Sequence, residues 1–182
     1  MFMKKVNNYM PILTCSTKQT FLDYVDSLDI PEIDYFAIGI QNLPIKRSIS
    51  LMSSEEWQKH FSKNEYANYD PLRRAALHSK RDLIPFQEID YVDNFGKEIM
   101  RQRGLMGIKN GIVLVQRFPK VNYMITLGTG FSKFDAFDFI KHYHDKIALI
   151  KNDFISLVQK DAKQFLPKEI INSIIHPSSG AK

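Results

Sequence analysis

Cysteine is almost missing from this chain: Cys15 stands alone among 182 residues. One thiol excludes an intrachain disulfide framework and a cysteine metal cluster, and it points to a reducing cytoplasm. Long apolar runs are missing too. No window approaches the ~20 residues that a helix needs to span a bilayer. The opening MFMKKVNNYMPIL has Lys4 and Lys5, but Asn7 and Asn8 fall where a signal peptide carries its apolar core. Charge of one sign is never concentrated. The formal net charge of +5 is scattered through pieces such as KRSIS, PLRRAALHSKR and MRQRG. Such scatter is poor support for nucleic-acid binding.

Catalytic signatures are equally scarce. There is no G-x-S-x-G, no phosphate loop and no H-E-x-x-H. His142 and His144 are two apart and face different directions on a helix, a poor metal pair. His60, His78 and His176 are scattered, and Cys15 has no histidine at a telling spacing. The expectation is a protein without cofactor or metal that is not an enzyme.

What is present suits one domain with a large core. Hydrophobic residues make up 44%, and the 13 Phe and 8 Tyr suit either that core or an apolar pocket. Periodicity predicts a first helix over about 18–28, capped by Ser16 or Thr17, with Phe21, Leu22 and Val25 inward. DYFAIGIQ and RSISLMS read as neighbouring strands joined by a turn at 42–44. Ser53 and Glu56 form a capping box opening a helix with Trp57 and Phe61. Pro71 suits the first position of another helix. LIPF reads as extended, VDNFGKEIMRQRG as a helix ending at Gly104, and GIVLVQR with NYMITLG as a hairpin. A long helix is predicted over 132–165, with Ile140, Tyr143, Ile147, Ile150, Phe154 and Leu157 on a heptad-like seam. That seam suits packing on the domain's own sheet or a dimer interface. The fold class expected is α/β: an α-β-α sandwich with a central, mostly antiparallel sheet flanked by helices.

One stretch, residues 52–71, stands out for chemistry. Trp57, Phe61 and Tyr66 place aromatic rings at steps of four and five, and Asp70 follows, fixed by Pro71. An indole offers one donor on a large apolar plate, and a carboxylate offers only acceptors. Together they suit a small ligand with a carbonyl, an N–H and an apolar tail. The same residues also suit plainer roles: a core tryptophan, and an Asp capping a turn or helix.

The pattern resembles the autoinducer-binding domain of LuxR-type quorum-sensing regulators. The tryptophan, the second tyrosine and the Asp-Pro match at the family's intervals, and Phe61 replaces the first tyrosine. Gly107 and Gly111 in GIKNGIVL resemble the family's glycine pair before a core strand. The order of elements fits over about 15–165. The resemblance implies an acyl-homoserine lactone or similar acylated signal as ligand. Trp57 would donate to the lactone carbonyl, and Asp70 would accept from the amide. Phe61 and Tyr66 would wall the headgroup. Strand alternation nominates Phe36, Ile38, Leu51 and Ile125 for the tail, and Thr126 or Thr129 for a further hydroxyl contact. Two positions depart from the pattern. Ser53 stands where the family has a ligand-contacting tyrosine, and Phe86 is the aromatic nearest the family's second tryptophan.

The resemblance also implies dimerisation. The expected division is a sensor over 1–166 and a short helix with a polar tail over 167–182, without the family's helix-turn-helix. A stand-alone sensor of that kind would form a homodimer, or a heterodimer that inhibits a full-length regulator. It would make no direct contact with nucleic acid or membrane. Two alternatives remain: a sensor whose core has filled and which serves interaction only, and a GNAT-type acyltransferase. The latter rests on Arg101-Gln102-Arg103-Gly104-Leu105-Met106, which nearly matches a pyrophosphate loop.

Overall fold

Strands Tyr35–Asn42 (β1), Arg47–Met52 (β2), Leu83–Pro85 (β3), Asn110–Arg117 (β4) and Val121–Thr129 (β5) form one sheet. Its order is β2-β1-β5-β4-β3, and every pairing is antiparallel. The computed structural model describes residues 13–44, 46–91 and 93–161. The predicted tail over 167–182 lies outside these.

The sheet divides two cores, since successive side chains of a strand take opposite faces and both faces of β1, β4 and β5 are covered. On one face lie Phe36, Ile38 and Ile40 of β1 with Ile49, Leu51, Ile112, Leu114 and Ile125. They pack under the helices Cys15–Asp26 (α1), Ala136–His142 (α5) and His144–Asp161 (α6). On the other face lie Tyr35, Ala37, Met52, Val113 and Val115. These pack under Glu55–Lys63 (α2), Pro71–His78 (α3) and Asn94–Leu105 (α4). The outcome is the expected α-β-α sandwich.

Several local expectations shift by a residue or more, each for a visible reason. Helix α1 starts earlier than predicted because Thr14, not Ser16 or Thr17, accepts from Thr17 N at 3.3 Å. The capping box at Ser53 is not formed. Ser54 caps α2, accepting from Trp57 N at 3.2 Å. Ser53 is held by the sheet instead: its N donates to Phe36 O at 2.8 Å, and its Oγ accepts from Phe36 N at 2.9 Å. Helix α4 runs one residue past Gly104, and the left-handed turn falls at Gly107, φ 83°. At Gly111 a side chain is excluded by contact, since a Cβ there would lie 2.1 Å from Leu127 O.

The predicted long helix is two. Tyr143, at φ −109° and ψ 20°, interrupts it between α5 and α6, and its hydroxyl donates to Glu32 at 2.8 Å. Ile147, Ile150 and Phe154 of the seam are buried against the sheet and α1, and Phe154 meets Phe21 at 5.0 Å between ring centroids.

Candidate functional site

Around the β1–β2 edge of the sheet, bordered by α2 and the start of α3 and reaching Leu13, Cys15 and Lys18 on the α1 side, lies a cavity of about 870 Å³. Its floor is set by β1. Tyr35, Ala37, Gly39 and Gln41 fall on the same side of that strand and border the space. Ala37 and Gly39 project almost nothing above the sheet. A Cβ built at Gly39 would find no atom nearer than 3.9 Å. The roof at the edge is α2, pinned by Gln58: Met52 N donates to Gln58 Oε1 at 3.2 Å, and Gln58 Nε2 donates to Ser50 O at 3.3 Å.

Aromatic packing fixes the entrance to α3. Trp57, fully buried, meets Phe61 at 5.7 Å and Tyr66 at 6.0 Å between centroids. The chain turns at Glu65, a left-handed residue with φ 54°, into a short 3-10 turn at Tyr66–Asn68. The Tyr66 hydroxyl lies 3.3 Å from His60 Nε2. This turn delivers Asp70 to the deep end of the cavity. Asp70 caps α3 there, accepting from Leu72 N through Oδ1 at 3.3 Å, while Pro71 takes the first helical position. The plain reading of Asp-Pro as a cap is therefore realised.

The same oxygen has a second partner. Arg103, from the last turn of α4, donates through Nη2 to Asp70 Oδ1 at 3.0 Å. Asp70 is 2% exposed and Arg103 3%. A buried ion pair of this kind is strongly destabilised when one partner is removed. The Arg103 guanidinium also lies over the Trp57 ring, 5.2 Å from its centroid. Beside them stands Tyr35. Burial pushes its phenol far above the ordinary range; Arg103 opposes that shift, and Asp70 adds to it.

Several buried polar atoms here have no protein partner: both side-chain amide atoms of Gln41, and the Nε of Arg73 and of Arg103; the Trp57 indole faces the Tyr35 hydroxyl. Native interiors satisfy nearly all such groups, so the two guanidinium Nε atoms near Asp70 suit a polar headgroup there, while Gln41 lies toward the other end of β1. Gln41, Arg73 and Arg103 border the space, whereas Trp57 stands behind its wall.

Of the residues nominated from sequence, Asp70, Phe61, Thr126, Ile38 and Leu51 border the cavity. Trp57, Tyr66 and Phe86 pack in the same core without lining it. Phe36 and Ile125 lie on the opposite face of the sheet, where α1 and α6 cover them. Of the strand residues nominated for the tail, Ile38 and Leu51 border the cavity and Phe36 and Ile125 do not. Ile38 and Leu51 also belong to that opposite core, and they reach the cavity only around the exposed β2 edge. Ser53 is occupied with Phe36 as described, and the Thr129 hydroxyl accepts from Phe131 N at 3.1 Å.

Sequence reasoning missed Arg103, Arg73, Tyr35 and Gln41. Arg103 was noticed only within a supposed pyrophosphate loop. Residues 101–106 are instead the end of α4 and its cap, with Arg103 turned into the core. Among the described residues no group of His, Cys, Asp and Glu could hold a metal ion, and no helix is long and apolar enough to cross a membrane.

Residues 18–156 match the family model described as autoinducer binding domain. Among solved structures, the chain is similar to CepR2 from Burkholderia cenocepacia, an N-acylhomoserine lactone-dependent LuxR family transcription factor. The identity is 16%, over 71% of this chain and 76% of that one, with a TM-score of 0.57. It is also similar to the solution structure of residues 1–171 of E. coli SdiA: 11% identity, 80% and 84% coverage, TM-score 0.54. A crystal structure of Escherichia coli SdiA gives 11% identity, 82% and 67% coverage, and 0.51. At these identities the likeness is one of fold. A comparison with curated proteins finds no match.

Proposed function

The chain belongs to the autoinducer-binding domain family, and on that footing we propose that it senses an acylated small molecule of quorum-sensing type, an acyl-homoserine lactone or a similar signal. The observation that carries the reading is the cavity of about 870 Å³ that ends at Asp70 and is floored by Ala37 and Gly39. A headgroup at the Asp70 end meets Tyr35, Thr126 and Arg103. An acyl tail then follows β1 toward Gln41, a path of about 20 Å at roughly 3.3 Å per residue. Each buried methylene adds about 0.8 kcal/mol. Met124, opposite Gly39 in the sheet register, is a flexible wall for tails of different length.

In this reading the sensor acts through dimerisation, with a second copy or as an inhibitor of a full-length LuxR-type regulator. Phe137 on α5 and Leu149 on α6, 58% and 57% exposed, give that helical layer apolar contact points. The supposed seam of α6 is not among them, since its buried members face the sheet.

The test is a thermal melt of the full chain against acyl-homoserine lactones of increasing tail length and their ring-opened carboxylates, with sedimentation run alongside. A ligand at about 1,000 times its dissociation constant adds roughly 4 kcal/mol. A stabilisation that grows with tail length supports the reading. A panel flat for the lactones and for their ring-opened carboxylates alike overturns it and favours a domain whose Asp70–Arg103 pair serves the core alone.

A further inference from the structure

Two guanidinium groups border the deep end of the cavity, and one carboxylate answers both. Arg103 gives Nη2 to Asp70 Oδ1 and Nη1 to Met100 Sδ at 2.9 Å, while its Nε is buried without a partner. A thioether is a weak acceptor, so much of this donor fork is poorly matched. Arg73, in the first turn of α3, donates through Nη1 to the backbone oxygen of Ala67, and its Nε is likewise buried without a partner. Burial pushes the Arg73 guanidinium below its ordinary range, and the Asp70 charge pulls it back. Elsewhere on the lining, Lys46 and Arg47 are exposed, Lys18 is half-buried, and the other carboxylate is Glu65.

This end of the cavity therefore holds more positive than negative charge, with Arg103 fully buried and Arg73 half-buried. Buried charge without a counter-charge is unfavourable. A guanidinium fork is shaped for a carboxylate, which it binds with two parallel hydrogen bonds. A neutral lactone is served less well. Its amide N–H has Asp70 Oδ2 to use, since both protein bonds to that carboxylate fall on Oδ1, but its carbonyls bring no compensating charge.

We propose that the cavity selects an anionic amphiphile, an acyl chain ending in a carboxylate, with Arg73 and Arg103 as its headgroup clamp. The inference rests on the reading of this cavity as the signal site. Two sources share the chemistry: a free fatty acid, and an acylated amino acid such as a ring-opened acyl-homoserine.

The experiment is calorimetric titration of the full chain with four decanoyl probes near pH 7.5, where their carboxylates are ionised. The probes are N-decanoyl-homoserine lactone, its ring-opened carboxylate, decanoic acid and methyl decanoate. Each carboxylate is expected to bind at least about tenfold more tightly than its neutral counterpart, the scale of one charge-assisted hydrogen bond. Preference for the ring-opened compound over decanoate identifies an acylated amino acid; equal affinity assigns the recognition to the carboxylate alone. Arg73→Gln should remove most of the carboxylate preference and leave the neutral probes within about twofold. Should that variant not fold, Arg73→Lys keeps the charge and loses the fork, and it should retain only part of the preference. A lactone that binds as well as its ring-opened form overturns the inference and leaves the signal-site reading standing. An unaltered preference in the Arg73 variants overturns the clamp. If no probe binds, the signal-site reading falls, and this inference with it.

Discussion

The guanidinium of Arg103 lies 5.2 Å from the centroid of the Trp57 ring, and both side chains are buried. A desolvated cation over an indole face is worth about 2 kcal/mol. The two residues come from different helices, α4 and α2, so this contact joins the layer that roofs the cavity. Asp70 completes the group from the start of α3.

Removing one member of that group should be costly. Asp70→Ala leaves the Arg103 charge buried and should destabilise the fold by about 3–5 kcal/mol. Asp70→Leu combined with Arg103→Met should recover most of the loss, because an apolar pair needs no counter-charge. Urea unfolding of the two single variants and the double variant measures the coupling. Additive losses would show that the ion pair is not the cause. Ligand binding by an Asp70 variant is therefore interpretable only where unfolding shows it folded.

Gly39 offers a way to close the cavity without disturbing the rest. Its backbone is ordinary strand, and a Cβ there meets Met124 and the Ile49 backbone at 3.9 Å, ordinary contact without a clash. Gly39→Ile should leave the unliganded protein as stable or up to about 1 kcal/mol more stable, since glycine is a weak strand residue. It should abolish the stabilisation by long-tailed ligands. Parallel melts with and without ligand check both halves, and an undiminished ligand response would place the tail elsewhere.

Alkaline pH should weaken the fold through Tyr35. Burial raises its folded-state ionisation far above that of an exposed phenol. Above about pH 10 the unfolded chain loses the proton while the folded one keeps it, so stability falls as pH rises. The slope for one such phenol is about 1.4 kcal/mol per pH unit. Urea unfolding between about pH 9 and 11 should show this loss, and Tyr35→Phe should flatten the slope. An identical slope in the variant would assign the effect to other groups.

Much of the fold was legible because its signals are local. The apolar run at 35–42 and its neighbour at 47–52, the hairpin of β4 and β5 and the Asp-Pro start of α3 all come from short-range patterns. The cap at Ser54 was missed because two adjacent serines offer the same hydroxyl, and only sheet pairing to Phe36 decides between them. The cavity side of β1 was legible only in part, for a related reason. All eight of its residues are buried, so hydrophobicity does not distinguish the two faces. Arg103 was illegible as a core residue because its partner is 33 positions away and its helix reads as amphipathic with or without it. The break at Tyr143 depends on Glu32, 111 positions distant.

Asp70 Oδ1 takes one hydrogen bond from the first turn of α3 and another from the last turn of α4. A single atom is thus a shared bearing for two rods. Any guest that draws that oxygen a few tenths of an ångström toward itself loads both helix ends together. Through that one atom the Asp70 end of the cavity is tied to the relative set of α3 and α4.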